Sequence, residues 1–295
     1  MYTFRIIEKL LFMVFFFATM YTIINRLIPI DEKHCNEVYI NFLNKKVQLN
    51  KYEQELLENT MYPEDNYTDN IIGYSKIKDK LNSIIIKPLL NRSEILPNGI
   101  IFQGEPGTGK TLFAKYILNK AKVSFINFDI SSIENKYYGE SSKYMKAVFT
   151  LAKKLEPCII FIDELDGVCG ERTSIDQFQV NSMKTQMLKY MDGISKGNKI
   201  ILIGATNKLN FIDNAILRRM KTTIKFDLPS KEEIKAMIEF YITDIELCES
   251  VIKDYQLCVG YSGSDIYEIC KLVMLKKESN EDFSLQSVLD DIGNS

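Results

Sequence analysis

The chain contains no tryptophan and only one histidine, His34. A single imidazole excludes an H-E-x-x-H zinc site, which needs two histidines one helical turn apart. The six cysteines (Cys35, Cys158, Cys169, Cys248, Cys258 and Cys270) form no C-x-x-C pair, and several lie inside apolar runs. They read as buried thiols of a reducing compartment. Neither sign of charge prevails, since 37 basic residues face 39 acidic ones. No global field therefore exists to draw in nucleic acid, and no nucleic-acid partner is expected. What the chain does have is length and apolar content, 295 residues at 46% hydrophobic, enough for a packed core and for two domains plus a tail.

The amino end differs from the rest. Leu10 to Asn25 carries no charge and includes Leu11, Phe12, Met13, Val14, Phe15, Phe16, Phe17, Ile23 and Ile24. As a helix it covers roughly 24 Å. Ile6, Ile7, Leu27 and Ile28 extend the apolar span toward the ~30 Å hydrocarbon core, with Lys9 and Arg26 placed to snorkel. A cleaved secretory signal is the competing reading; Glu8 and the bulky Met20-Tyr21 fit it poorly. The expectation is an anchor over residues 1–30 in contact with membrane lipid, with the rest of the chain in the cytosol. The flanking charges are too balanced to fix orientation by themselves. Residues 31–68 read as a polar linker with one or two helices, Leu49 to Leu57 among them.

Beyond the linker, β-rich runs alternate with helical patterns: Gly99 to Phe102, Ser124 to Phe128, Cys158 to Ile162, Lys199 to Ile203 and Thr222 to Phe226. Alternation of this kind predicts an α/β domain over 69–229, a parallel sheet with helices on both faces. After Pro229-Ser230 no convincing strand follows, which predicts a small helical domain over 230–295.

Two motifs carry chemistry. The first is Gly104-Glu105-Pro106-Gly107-Thr108-Gly109-Lys110-Thr111, a G-x-x-x-x-G-K-[ST] loop between a strand and a helix read over Leu112 to Lys122. Its glycines let the backbone fold tightly with amide hydrogens pointing inward, and the helix N-terminus adds positive dipole. Lys110 is placed for the β and γ phosphates of ATP and Thr111 for Mg²⁺. In the second motif, Asp163 and Glu164 close the apolar run Cys158 to Ile162. Asp163 there can hold Mg²⁺ through water, and Glu164 can polarise the water that attacks phosphorus. An acidic pair at a strand end can also serve as a helix cap. Asn207, in Gly204-Ala205-Thr206-Asn207, is placed to bond the same water or the γ-phosphate.

Together with Ile72-Gly73, Leu217-Arg218-Arg219 and Gly260-Tyr261-Ser262-Gly263-Ser264-Asp265, these motifs resemble those of the AAA ATPases, from about Leu49 to about Leu272. The resemblance implies the AAA+ P-loop NTPase fold and a homo-hexamer with nucleotide between subunits. It also implies base and phosphate contacts from Ile72, Gly73, Gly104, Glu105, Pro106, Gly107, Thr108, Gly109, Lys110, Thr111, Leu112, Gly263 and Ser264. By the same resemblance Arg218 and Arg219 act in trans on a neighbour's γ-phosphate. Within the meiotic clade of that family, the chain is most similar to the membrane-anchored dislocases that extract mislocalised tail-anchored proteins from the mitochondrial outer membrane and peroxisomes. The similarity rests on Leu49-Asn50-Lys51-Tyr52-Glu53, Leu155-Glu156-Pro157-Cys158 and the amino-terminal anchor.

Lys136-Tyr137-Tyr138-Gly139-Glu140-Ser141 resembles that group's first pore loop, and Gly170 to Ser174 falls where a second would be. Flat aromatic rings at a pore can grip a passing chain without demanding a sequence. Packing of Tyr137 and Tyr138 into a core is the competing reading. Departures from the pattern are Glu105 in place of proline, Tyr137 in place of tryptophan, Thr222 and Thr223 in place of basic residues, and a short Asn91 to Pro97 segment. With one histidine, the membrane-bound AAA protease is excluded. Microtubule severing and a nucleotide-gated scaffold with little turnover remain as alternatives.

Overall fold

The computed structural model describes residues 36–40, 43–129, 141–169, 177–193, 199–279 and 284–293. The expected anchor over 1–30, His34, Cys35, both pore-loop segments and residues Lys136, Tyr137 and Tyr138 lie outside them. Among the described residues no helix is long and apolar enough to cross a membrane.

The chain divides into two compact units, 1–54 and 55–295. The first holds an antiparallel hairpin, β1 (Asn36–Ile40) and β2 (Lys45–Leu49), with Val38 opposite Val47. The sequence reading has only helices here; Val47 and Leu49 are the buried positions of a five-residue strand, too few to establish a period of two. Next, α1 (Lys51–Glu58) begins with a reciprocal cap: Glu53 N–H donates to Asn50 Oδ1 at 3.0 Å, and Asn50 N–H to Glu53 Oε2 at 2.8 Å. That exchange satisfies two amides that the helix itself cannot, which gives Leu49-Asn50-Lys51-Tyr52-Glu53 a local structural meaning.

Unit 55–295 is built on a six-stranded sheet of β3 (Thr60–Met61), β4 (Gly99–Gly104), β5 (Ser124–Phe128), β6 (Cys158–Ile162), β7 (Ile200–Thr206) and β8 (Thr222–Phe226), in the order β3-β5-β6-β7-β4-β8. The five strands expected from sequence are all parallel; β3 joins the edge antiparallel to β5 and makes the sheet mixed. A two-residue strand carries no hydrophobic period, so β3 is visible only in three dimensions. Every residue of β6 and β7 is buried, as strands covered on both faces must be.

The order places β4, which leads into the glycine-rich loop, between β7 and β8, with the acidic strand β6 one place further on. A crevice opens at the carboxyl ends of strands where the connections change direction, and this is where α/β sheets bind ligands. Gly204 of β7 lies opposite Ile101 on one side and Ile162 on the other. A Cβ at Gly204 would come within 2.5 Å of Leu165 Cδ2, so its bare backbone makes room for the residue that follows Asp163 and Glu164.

One apolar core joins the sheet to the helices. Phe102, Phe113 and Phe226 cluster with Ile234, Met237, Ile269 and Val273, so the helix-only segment after Pro229 shares the core of the sheet. That segment contains α9 (Lys231–Tyr241), α10 (Ile245–Lys253), α11 (Gly263–Glu278) and α12 (Leu285–Gly293). Capping boxes Ser230–Glu233 and Ser262–Asp265 start α9 and α11. Two Ser/acid pairs spaced by three are the sequence reason these helices begin where they do.

Candidate nucleotide site

Between β3 and β4, α2 (Ser75–Leu81) continues through a π-helical turn, Asn82–Ile86, into α3 (Lys87–Leu90). The glycine-rich loop ends in α4 (Lys110–Ala121), whose preceding residue Gly109 takes φ 90°. Lys110 Nζ donates to the carbonyls of Gly104 and Glu105 at 2.9 and 2.8 Å, and Thr108 Oγ1 donates to the Glu105 carbonyl at 2.7 Å. The lysine is thus folded back over the loop, its charge held by two loop carbonyls. Burial lowers its pKa, against the Asp163 and Asp166 carboxylates, which raise it. Thr111 Oγ1 donates to Asp163 Oδ2 at 2.9 Å, joining loop helix and acidic strand end.

Glu164 has φ 50°, a left-handed backbone that a non-glycine residue adopts at a cost. Its N–H donates to Asp163 Oδ1 at 2.9 Å, and its carbonyl accepts from Gly167 N–H at 2.8 Å at the start of α6 (Leu165–Cys169). Helix α5 (Ser141–Lys154) precedes β6. Thr206 Oγ1 donates to Asp166 Oδ1 at 2.7 Å and accepts from Lys208 N–H at 3.0 Å, fixing the turn that carries Asn207.

These groups line a cavity of about 710 Å³. Of the residues expected at the site, Ile72, Pro106, Gly107, Thr108, Gly109, Lys110, Thr111, Leu112, Asp163, Glu164, Asn207, Gly263 and Ser264 line it. Gly73, Gly104 and Glu105 belong to the adjoining backbone without lining it. The helical segment closes directly on the loop: Ser264 N–H donates to the Gly107 carbonyl at 3.1 Å. A Cβ at Gly107 would meet Ser262 Oγ at 2.3 Å and Ser264 Oγ at 2.4 Å.

Sequence reasoning assigns no site role to Tyr74, Thr206, Asp166, Met237, Tyr241 and Tyr267, which also line the cavity. Tyr241 and Tyr267 meet edge to face with centroids 5.1 Å apart. The one available signal is that Met237 and Tyr241 stand four apart in α9, on one helical face. Tyr74 Oη is buried with no hydrogen-bond partner among the described residues. Burial, then the nearby Glu233, pushes the phenol up to about 12.

The arginine pair separates. Arg219 grips Asp192, in α7 (Gln177–Gly193), through two bonds of 2.7 and 2.6 Å, and donates to the Ala215 carbonyl at 2.8 Å in α8 (Asn214–Leu217). Arg218 is exposed. Neither lines this cavity.

The donor set fits a triphosphate with a hard divalent ion. The glycine-rich loop and Lys110 suit anionic oxygens, and the paired oxygens of Thr111 and Asp163 suit Mg²⁺. Such a loop and acidic strand end, at the crevice of a parallel sheet, define a P-loop nucleoside triphosphatase.

Residues 100–228 match the family model described as ATPase family associated with various cellular activities (AAA). The chain is 35% identical over 246 residues to the mitochondrial sorting homolog of Caenorhabditis elegans, covering 80% of this chain and 72% of that protein. To the outer mitochondrial transmembrane helix translocase of Homo sapiens it is 34% identical over 240 residues, covering 77% and 66%. To that of Danio rerio it is 35% identical over 213 residues, covering 68% and 56%. Among solved structures, the FIGL-1 AAA domain in complex with ADP superposes with a TM-score of 0.68 at 25% identity, over 77% of this chain and 80% of that one. The chain belongs to the AAA family of ATPases.

Proposed function

We propose that this chain is a membrane-anchored, homo-hexameric ATPase that pulls mislocalised tail-anchored proteins out of the mitochondrial outer membrane, or the peroxisomal one, and threads them through a central pore. The observation that carries the reading is the joint one: a cavity lined by the glycine-rich loop and the acidic strand end, in a chain about 35% identical to proteins named outer mitochondrial transmembrane helix translocase. The apolar run Leu10 to Asn25 supports a single-pass anchor over 1–30. A linker over 31–68, an ATPase domain over 69–229 in the cytosol and a helical domain over 230–295 complete the proposed organisation.

When bound, ATP with Mg²⁺ supplies the phosphoryl group that is transferred to water. The chain's own residues do the rest. Lys110 would hold positive charge against the phosphates, and the oxygens of Thr111 and Asp163 would hold the metal, the carboxylate through water. Glu164 orients the attacking water and takes its proton, with Asn207 bonding the same water. Arg218 reaches a neighbouring copy's γ-phosphate, a task its exposure supports. Arg219 stands beside it at the subunit boundary. Lys136, Tyr137 and Tyr138 line the pore and grip substrate by apolar contact.

The test is reconstitution of the full chain in liposomes with a tail-anchored substrate. Glu164→Gln should keep ATP, lose turnover and retain substrate, and Tyr137→Ala should spare hydrolysis far more than extraction. Undiminished hydrolysis by Glu164→Gln removes its catalytic role; equal losses in Tyr137→Ala remove the pore role.

A further inference from the structure

Two stretches far apart in the chain line the same cavity: Ile72 and Tyr74 between β3 and β4, Met237 and Tyr241 in α9. One side chain ties them. Glu233 Oε1 accepts from Tyr74 N–H at 2.5 Å, while Oε2 accepts from Ser230 N–H at 2.9 Å. The backbone N–H of Glu233 in turn donates to Ser230 Oγ at 3.3 Å. The carboxylate therefore caps α9 with one oxygen and clasps the upstream turn with the other.

That turn is shaped to receive it. Gly73 has φ 74°, and a Cβ there would lie 2.8 Å from Glu233 Cγ. Tyr74 follows with φ 54°, left-handed and without glycine's freedom, and its carbonyl accepts from Ile77 and Lys78 N–H, both at 3.0 Å. Its ring stands edge-on to Phe113 of α4 at 5.8 Å. A strained residue persists only where its surroundings fix it, and here the fixing groups are Glu233, the start of α2 and the loop helix.

We infer that Glu233 is a positioning residue for the nucleotide site, setting the separation of its two walls by clasping the Gly73–Tyr74 turn to the first turn of α9. It does not itself line the cavity, so its loss acts on nucleotide affinity through the walls and leaves the chemical step alone. The inference rests on the nucleotide reading of the cavity.

The experiment compares wild type, Glu233→Ala, Glu233→Gln, Ser230→Ala and Lys110→Ala in the full chain, reading ATP KM, kcat, ADP affinity by calorimetry and thermal midpoint. Glu233→Ala should raise KM and weaken ADP about tenfold, the loss expected of a hydrogen bond to a charged group, with kcat changed less than about twofold. Ser230→Ala removes the cap hydroxyl but leaves the clasp; it should lower the midpoint by about 2–4 °C and leave KM unchanged. Glu233→Gln keeps one acceptor oxygen for two donors and should fall between. Equal KM changes in Ser230→Ala and Glu233→Ala, or no change in Glu233→Ala, overturn the clasp. Wild-type protein that binds ADP no better than Lys110→Ala would overturn the nucleotide reading itself, a separate outcome.

Discussion

Alanine at Gly107 should destabilise the nucleotide-free protein by about 3–4 kcal/mol, more than alanine at Gly109 two residues on. Both positions are left-handed, φ 75° and 90°, and each alanine there costs about 1–2 kcal/mol in backbone strain. The difference lies in what the new methyl meets. At Gly109 the nearest atom is Phe113 Cδ2 at 3.8 Å, an ordinary contact, so strain is the whole effect. At Gly107 the methyl overlaps Ser262 Oγ and Ser264 Oγ. Ser262 Oγ is the cap of α11, accepting from Asp265 N–H, and displacing it costs about 1 kcal/mol. The Ser264 N–H bond to the Gly107 carbonyl is lost as well, about another 1 kcal/mol. In a unit of this size the gap between the variants is a fall in midpoint of about 4–8 °C, measurable by thermal unfolding without nucleotide. A Gly109→Ala midpoint equal to or below that of Gly107→Ala would refute the claim that the helical segment bears on the loop through this contact.

Four further outcomes can be measured. On the trans role proposed for Arg218, Arg218→Ala should lower ATPase activity about a thousandfold with thermal stability unchanged; Arg219→Ala and Asp192→Ala should each lower the thermal midpoint only slightly and to the same extent, because they break the same surface pair. Asp213 lies below the usual carboxylate range because Lys184 Nζ, at 2.7 Å, and then the Ala215 N–H bond its ionised form. Its contribution is present above the unfolded value near ~4 and is lost as pH falls through the lower folded one, so wild type and Asp213→Asn should differ in midpoint at neutral pH and converge below ~4. Phe113→Ala should cost about 3–5 kcal/mol in denaturant unfolding, since the ring is 1% exposed and packs edge-on against Tyr74, Tyr116 and Phe226.

The parts of the site that were legible in sequence are those whose chemistry is local. The glycine spacing before Lys110-Thr111 and the apolar run ending at Asp163 each announce a strand, a turn and a charged group within a dozen residues. Five of the six sheet strands were legible for the same reason, and β3 was not. What stayed hidden depends on distant partners. Tyr241 and Tyr267 read as helix residues until α9 and α11 bring them to one wall, and the Arg218-Arg219 pair reads as a unit until Asp192 captures the second member. Glu233 looks like half of a capping box; only the fold shows its other oxygen on Tyr74, 159 positions earlier.

The bare backbone of Gly204 carries a last implication for inheritance of activity. Leu165 leans into the space a side chain at 204 would fill, and Leu165 is the next residue after Glu164. A methyl group there would press on the end of that wholly buried side chain and force it to repack against its neighbours. Gly204→Ala should therefore lower the thermal midpoint, and any change in hydrolysis would come from repacking behind Glu164, since Gly204 does not line the cavity.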